Sequence, residues 1–103
     1  MIVKVSPEAS EELMEAAAWY ELESPGLGEQ LIDTFEQATT KLSAPNPPLV
    51  PVIGEARKRG AKRFILQQFP FSLVTVSNNQ TITIVAFAHH LRKPGYWHNR
   101  VSP

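Results

Sequence analysis

The amino-acid sequence predicts an α+β fold, ordered β-α-α-β-β-β, in which a helical hairpin packs on one face of a small, mainly antiparallel sheet. Three observations carry that reading. Residues 7 to 43 hold two stretches whose apolar side chains recur at spacings of three and four, the period of an amphipathic helix. Residues 62 to 89 hold three stretches of β character, divided by turn residues. Between the two regions lies a proline-rich loop, Ala44 to Pro51, that a helix cannot cross.

Met1 to Val5 is a short β-type run. Ser6-Pro7-Glu8 then supplies an N-cap, a proline at the first helical position and an acid in the first turn. Ala9, Leu13, Ala16 or Ala17, and Tyr20 form the apolar stripe of this first helix, with Glu8, Glu11, Glu12 and Glu15 assigned to its other side. Glu23-Ser24-Pro25-Gly26 interrupts the pattern, since proline disfavours helix in the residue before it and glycine costs about 1 kcal/mol inside one. Leu27, Leu31, Phe35, Ala38 and Leu42 give a second stripe, and so short a link implies an antiparallel hairpin. Strands are expected at Lys62 to Gln68, Phe71 to Ser77 and Thr81 to His89, the last two joined through Asn78-Asn79, because asparagine tolerates positive φ. Thr81 to Ala88 is apolar on both faces toward its end, the pattern of an interior strand. Two helices cover only one face, so the other is expected to stay open to a partner.

A chain of 103 residues suits a single domain, 1–103, with one modest core. The sequence contains no cysteine, which removes disulfides and thiolate metal sites and makes the cytoplasm the expected location. No run approaches the roughly 20 apolar residues of a membrane helix, and residues after Val5 turn polar at once, so secretion and membrane insertion are not expected. Four of the nine prolines lie between Pro45 and Pro51, so their excess marks one loop rather than disorder.

The formal net charge of zero conceals a split. Residues 1 to 54 carry two basic and nine acidic side chains, a net of −7; residues 55 to 103 carry eight basic and one acidic, a net of +7. Either the two halves are simply solvated, or the basic half faces an anionic partner. Arg57, Lys58, Arg59, Lys62 and Arg63 concentrate that charge just before and within the second expected strand. Such a run either keeps a sheet edge soluble or forms an electrostatic footprint for nucleic acid or an acidic protein.

Glycine-rich phosphate loops, nucleophile elbows, H-E-x-x-H motifs and Cys/His quartets are all missing from the sequence, which excludes the enzyme classes built on them. What remains is the passage His89 to Arg100, directly after the interior strand. His89 and His90 are adjacent in a strand and therefore point to opposite faces, so at most one belongs to any single site. With only His98 besides, and carboxylates concentrated in the other half, neither a metal nor a cofactor is expected. Arg92 and Tyr96 lie four residues apart across Pro94-Gly95, which could bring a phosphate-binding guanidinium and a phenol to one side. The alternative roles are structural: Arg92 pairing with an acid of the first helix, and Tyr96 and Trp97 anchoring the tail on the hairpin near Trp19 or Tyr20.

Three phrases, taken in order, resemble the RelE/ParE superfamily of toxins: Glu12-Leu13 through Trp19-Tyr20-Glu21 with Ser24-Pro25-Gly26-Leu27-Gly28, Arg63 through Phe69-Pro70-Phe71, and Ala88-His89-His90-Leu91-Arg92-Lys93-Pro94-Gly95-Tyr96-Trp97. The resemblance implies a bacterial type II toxin, of the plasmid-stabilisation kind, held in a hetero-oligomer by a cognate antitoxin protein. The doubly apolar strand then makes Ile82, Ile84, Val85 and Phe87 the expected antitoxin-binding residues.

The resemblance leaves two mechanisms and one weaker alternative. A ParE-like toxin inhibits growth by binding a target such as DNA gyrase. A RelE-like toxin is a metal-independent endoribonuclease that cuts messenger RNA on the ribosome, for which Arg63, His90, Arg92 and Tyr96 are the candidate catalytic residues. A non-toxic homologue would act only as a binding module. In either toxin, Arg57, Lys58, Arg59, Lys62, Arg63 and Lys93 are the candidate target- or nucleic-acid-binding residues. The nuclease pattern is incomplete, because Ser72 and Ile65 occupy positions where ribonucleases of this kind carry basic residues. The ParE-like reading is the one the sequence favours.

Overall fold

The computed structural model describes residues 1–101 and begins with a strand, β1 (Ile2–Val5), followed by two helices of 17 residues, α1 (Pro7–Glu23) and α2 (Leu27–Ser43). After the proline loop come β2 (Val50–Pro51), a single helical turn α3 (Glu55–Lys58), β3 (Lys62–Ile65), β4 (Phe71–Asn78) and β5 (Thr81–His89), with a final 3-10 turn at His98–Arg100. The expected helices and strands are present. Ser6 caps α1 as its sequence implied, its hydroxyl accepting from Ala9 N at 3.1 Å with Pro7 opening the helix. At the hairpin turn Gly26 takes φ +89°, and the Glu21 carboxylate accepts from Gly26 N at 2.8 Å and Gly28 N at 3.0 Å, so one side chain of α1 caps the start of α2. Gly28 lets the helices approach, since a Cβ there would overlap the Ala17 carbonyl.

The five strands form one sheet in the order β1-β5-β4-β3-β2. β1 runs parallel to β5, and the remaining pairs are antiparallel. The β4–β5 turn comes one residue later than the Asn-Asn expectation: Asn78 still pairs with Thr81, and Asn79 takes the positive φ of +57°. β5 is interior, between β1 and β4, as its apolar character required. It carries one extra residue: Val74 faces Ala86 and Thr75 faces Ile84, leaving Val85 as a bulge.

Two apolar clusters lie on opposite sides of the sheet. Leu13, Leu31, Phe35 and Leu42 of the hairpin pack on Phe64, Leu73, Ile84 and Phe87. On the second face Val74, Val85 and Ala86 are covered by Val52, Ala56 and Ala61 of the β2–β3 region and by Trp97 and Val101 of the tail. This corrects two expectations. The second face is not left open, because Val52 after β2, α3 and the tail, segments too short to show a period in sequence, close over it. Trp97 is buried, at 6% exposure, but against this second face rather than on the hairpin beside Trp19. Ile82, Ile84, Val85 and Phe87 are consequently buried in the chain's own interior and present no apolar groove to a partner.

Candidate functional site

β1 has four residues and β5 nine, so the edge of β5 beyond Ile84 has no neighbouring strand. Its polar groups still need partners. Ser6 N donates to Ile84 O at 2.9 Å, Arg100 Nη1 donates to Val85 O at 3.1 Å, and Phe87 N donates to Glu12 Oε1 at 3.1 Å. Arg100 and Glu12 are themselves paired at 2.9 Å, so an ion pair completes the edge where a strand is lacking.

Glu12 holds more than the edge. Its Oε2 accepts from the Tyr96 hydroxyl at 2.6 Å and from Arg92 Nη1 at 3.2 Å. Gly95, at φ +77°, turns the chain so that the Arg92 guanidinium lies 3.6 Å from the Tyr96 ring centre, and that of Arg100 lies 5.3 Å away. The spacing of Arg92 and Tyr96 foretold their meeting, and the pairing of Arg92 with an acid of the first helix is also present. The identity of that acid was missed. The helical pattern alone places Glu12 on the solvent side of α1 with Glu8, Glu11 and Glu15, yet it stands one helical turn before Ala16, on the flank of the buried stripe. A carboxylate on that flank is the only signal the sequence offered.

Burial, the hydrogen bond to Glu12 and the charge of Glu12 raise the Tyr96 pKa above its ordinary 10.0, and the two guanidinium groups offset this only in part. The phenol therefore stays neutral and cannot act as a base near neutral pH. The sign for stability follows from linkage: the folded chain holds this proton more tightly than the unfolded one, so the contribution is complete below pH 10.0 and is lost as pH rises. Chemical denaturation of the native chain between pH 9 and 11 should show this decline, and Tyr96→Phe should flatten it.

Beside this cluster the second face carries a groove of about 200 Å³. Arg63, His90, Arg92 and Lys93 rim it, Tyr96 forms one wall, and Val74, Ala88 and Trp97 lie along its floor. The four residues proposed for a nuclease are thus drawn to one place. His90 Nε2 lies 2.9 Å from the hydroxyl of Ser72. His89 also borders the groove, but its ring is edge-on to Phe71 of the hairpin-side cluster at 4.9 Å between centres, so the two imidazoles separate as strand geometry required. Arg57, Lys58, Arg59 and Lys62 are exposed but lie outside the groove; Lys58 pairs with Glu55 at 3.6 Å and Arg59 Nη1 donates to Val101 O at 3.3 Å.

No family model matches the chain, and no curated protein matches it. Among solved structures, a chain of the chromosomal ParDE toxin–antitoxin system from P. aeruginosa superposes with a TM-score of 0.72 at 17% sequence identity, over 86% of this chain and 95% of that one. This chain shares the α+β fold of that chain.

On that fold the positions set apart in the sequence acquire surroundings. Ser72 is only 3% exposed, covered beside His90, so an arginine could not simply be accommodated there to restore a sheet cation. Ile65, its cross-strand partner on β3, is exposed and apolar. The sheet of this chain therefore presents a groove with cations on its rim and none at the two positions Ile65 and Ser72. No helix among the described residues is long and apolar enough to cross a membrane.

Proposed function

We propose that the chain is the toxin of a cytoplasmic type II toxin–antitoxin module and acts, in the manner of ParE, by binding its target, with DNA gyrase the target that the resemblance implies. A cognate antitoxin is its partner. One observation carries the preference for binding over catalysis: Glu12 engages Arg92 and Tyr96, two of the four residues that a metal-independent nuclease would aim at a phosphate. An oxyanion is stabilised by preorganised cations that are free to meet it. Here Arg92 and Tyr96 both donate to a carboxylate, and the raised pKa of Tyr96 removes it as a general base.

The RelE-like reading is supported by the convergence of Arg63, His90, Arg92 and Tyr96 on one groove. Induced expression in a bacterial host separates the two. Binding of gyrase predicts filamentation and a DNA-damage response while ribosome-bound messenger RNA stays intact, whereas cuts at the ribosomal A site, abolished by Arg92→Ala in a folded protein, would overturn the proposal.

A further inference from the structure

The charge split of the sequence becomes a split across the sheet. α1 lies on one face, and its outer surface carries Met14, Trp19 and Leu22 at 56%, 58% and 87% exposure. Glu11 and Glu15 stand among them, both exposed, and neither forms an ion pair among the described residues. The opposite face carries the groove, with an apolar floor, a rim containing Arg63 and Lys93, and Ile53 exposed at its margin. Neither Arg63 nor Lys93 forms an ion pair among the described residues. Each face thus presents unburied apolar side chains framed by charge, and the two charges are opposite.

We infer that the outer face of α1 in one copy of this chain docks in the basic groove of a second copy. Trp19 and Leu22 enter the groove while Glu11 and Glu15 meet Arg63 and Lys93. A volume of about 200 Å³ is below that of most small-molecule sites and suits projecting side chains of a partner. A zero net charge removes the long-range repulsion that would otherwise keep copies apart. Two α1 faces cannot pair with each other, since acid would oppose acid, so the contact joins unlike surfaces and repeats from copy to copy. It also covers the groove. Self-association therefore competes with any target or antitoxin that uses the groove, which goes beyond the proposed toxicity and does not depend on which target is correct.

Sedimentation of the purified chain over a range of concentrations tests this. At about 20 mM salt the weight-average mass should rise at least roughly twofold with concentration, and at about 500 mM salt it should return to that of a monomer, because the contact is partly ionic. The double variant Glu11→Lys/Glu15→Lys and the double variant Arg63→Glu/Lys93→Glu should each remain monomeric at low salt. Mixed in equal amounts they should associate again, since each then offers the charge that the other's groove or helix requires. Restoration on mixing also shows that both variants are folded. A native chain that is monomeric at every concentration, or one whose association is indifferent to salt and to both reversals, would overturn the inference and leave these faces to a foreign protein.

Discussion

Replacing Glu12 with alanine is expected to lower the unfolding free energy by roughly 3 kcal/mol, the cost of breaking a largely buried ion pair from one side. The carboxylate is 13% exposed and serves Phe87 N, Tyr96 and both arginines, so its loss leaves the free edge of β5 and the tail without their common partner. Glu12→Gln should cost less, since an amide oxygen can still accept from Tyr96 or Phe87. Arg100→Ala should also destabilise, because Val85 O then loses its charged donor. The double variant Glu12→Ala/Arg100→Ala should cost clearly less than the two singles together, as expected for residues that act as a pair. Urea titrations at neutral pH read all four values from the shift in midpoint at constant slope. Purely additive losses would mean that the two residues act separately.

Trp97→Ala is expected to cost about 3 to 5 kcal/mol, the range for removing a buried large aromatic. Trp97 is a major cover of the second face, packed with Val52, Ala56, Val74, Val85 and Val101. In a domain of this size such a loss lowers the melting temperature by more than about 10 °C. Trp19→Ala provides the contrast. That side chain is 58% exposed, and its removal should change stability by no more than about 1 kcal/mol. Thermal unfolding of the two variants beside the native chain decides the matter, and equal losses would place the burden of Trp97 on the wrong face.

The parts of the fold that were legible in the sequence are those with a period or a cap. Ser6 and Pro7 marked the start of α1, and the stripe from Leu27 to Leu42 marked the buried side of α2, because several residues repeat one message. β2 and α3 have two and four residues, too few to repeat anything, and the packing of this region depends on Val52, just after β2, and Ala56 of α3 finding Trp97 across the chain. For the same reason the burial of Trp97 could be foreseen while the face that receives it could not. The candidate site divides along the same line. Arg92 and Tyr96 are four residues apart and were found together, whereas Glu12 lies 80 residues or more from Arg92, Tyr96 and Arg100 and was recognised only in three dimensions.

The bulge at Val85 sets the phase of everything after it. Strict alternation from Ile84 would send Ala86 and Ala88 toward the hairpin and Phe87 and His89 away from it. One additional residue reverses that order, so Phe87 joins the hairpin cluster, His89 meets Phe71 and His90 reaches Ser72. Which imidazole meets Ser72 and which meets Phe71 is therefore decided four residues upstream of the pair, by a count rather than by the chemistry of either ring. Deleting Val85 would leave both rings where they are, since Ile84 and Ala86 would then follow each other in unbroken alternation, whereas one residue added to β4 opposite the bulge would exchange the two, with no change to either side chain.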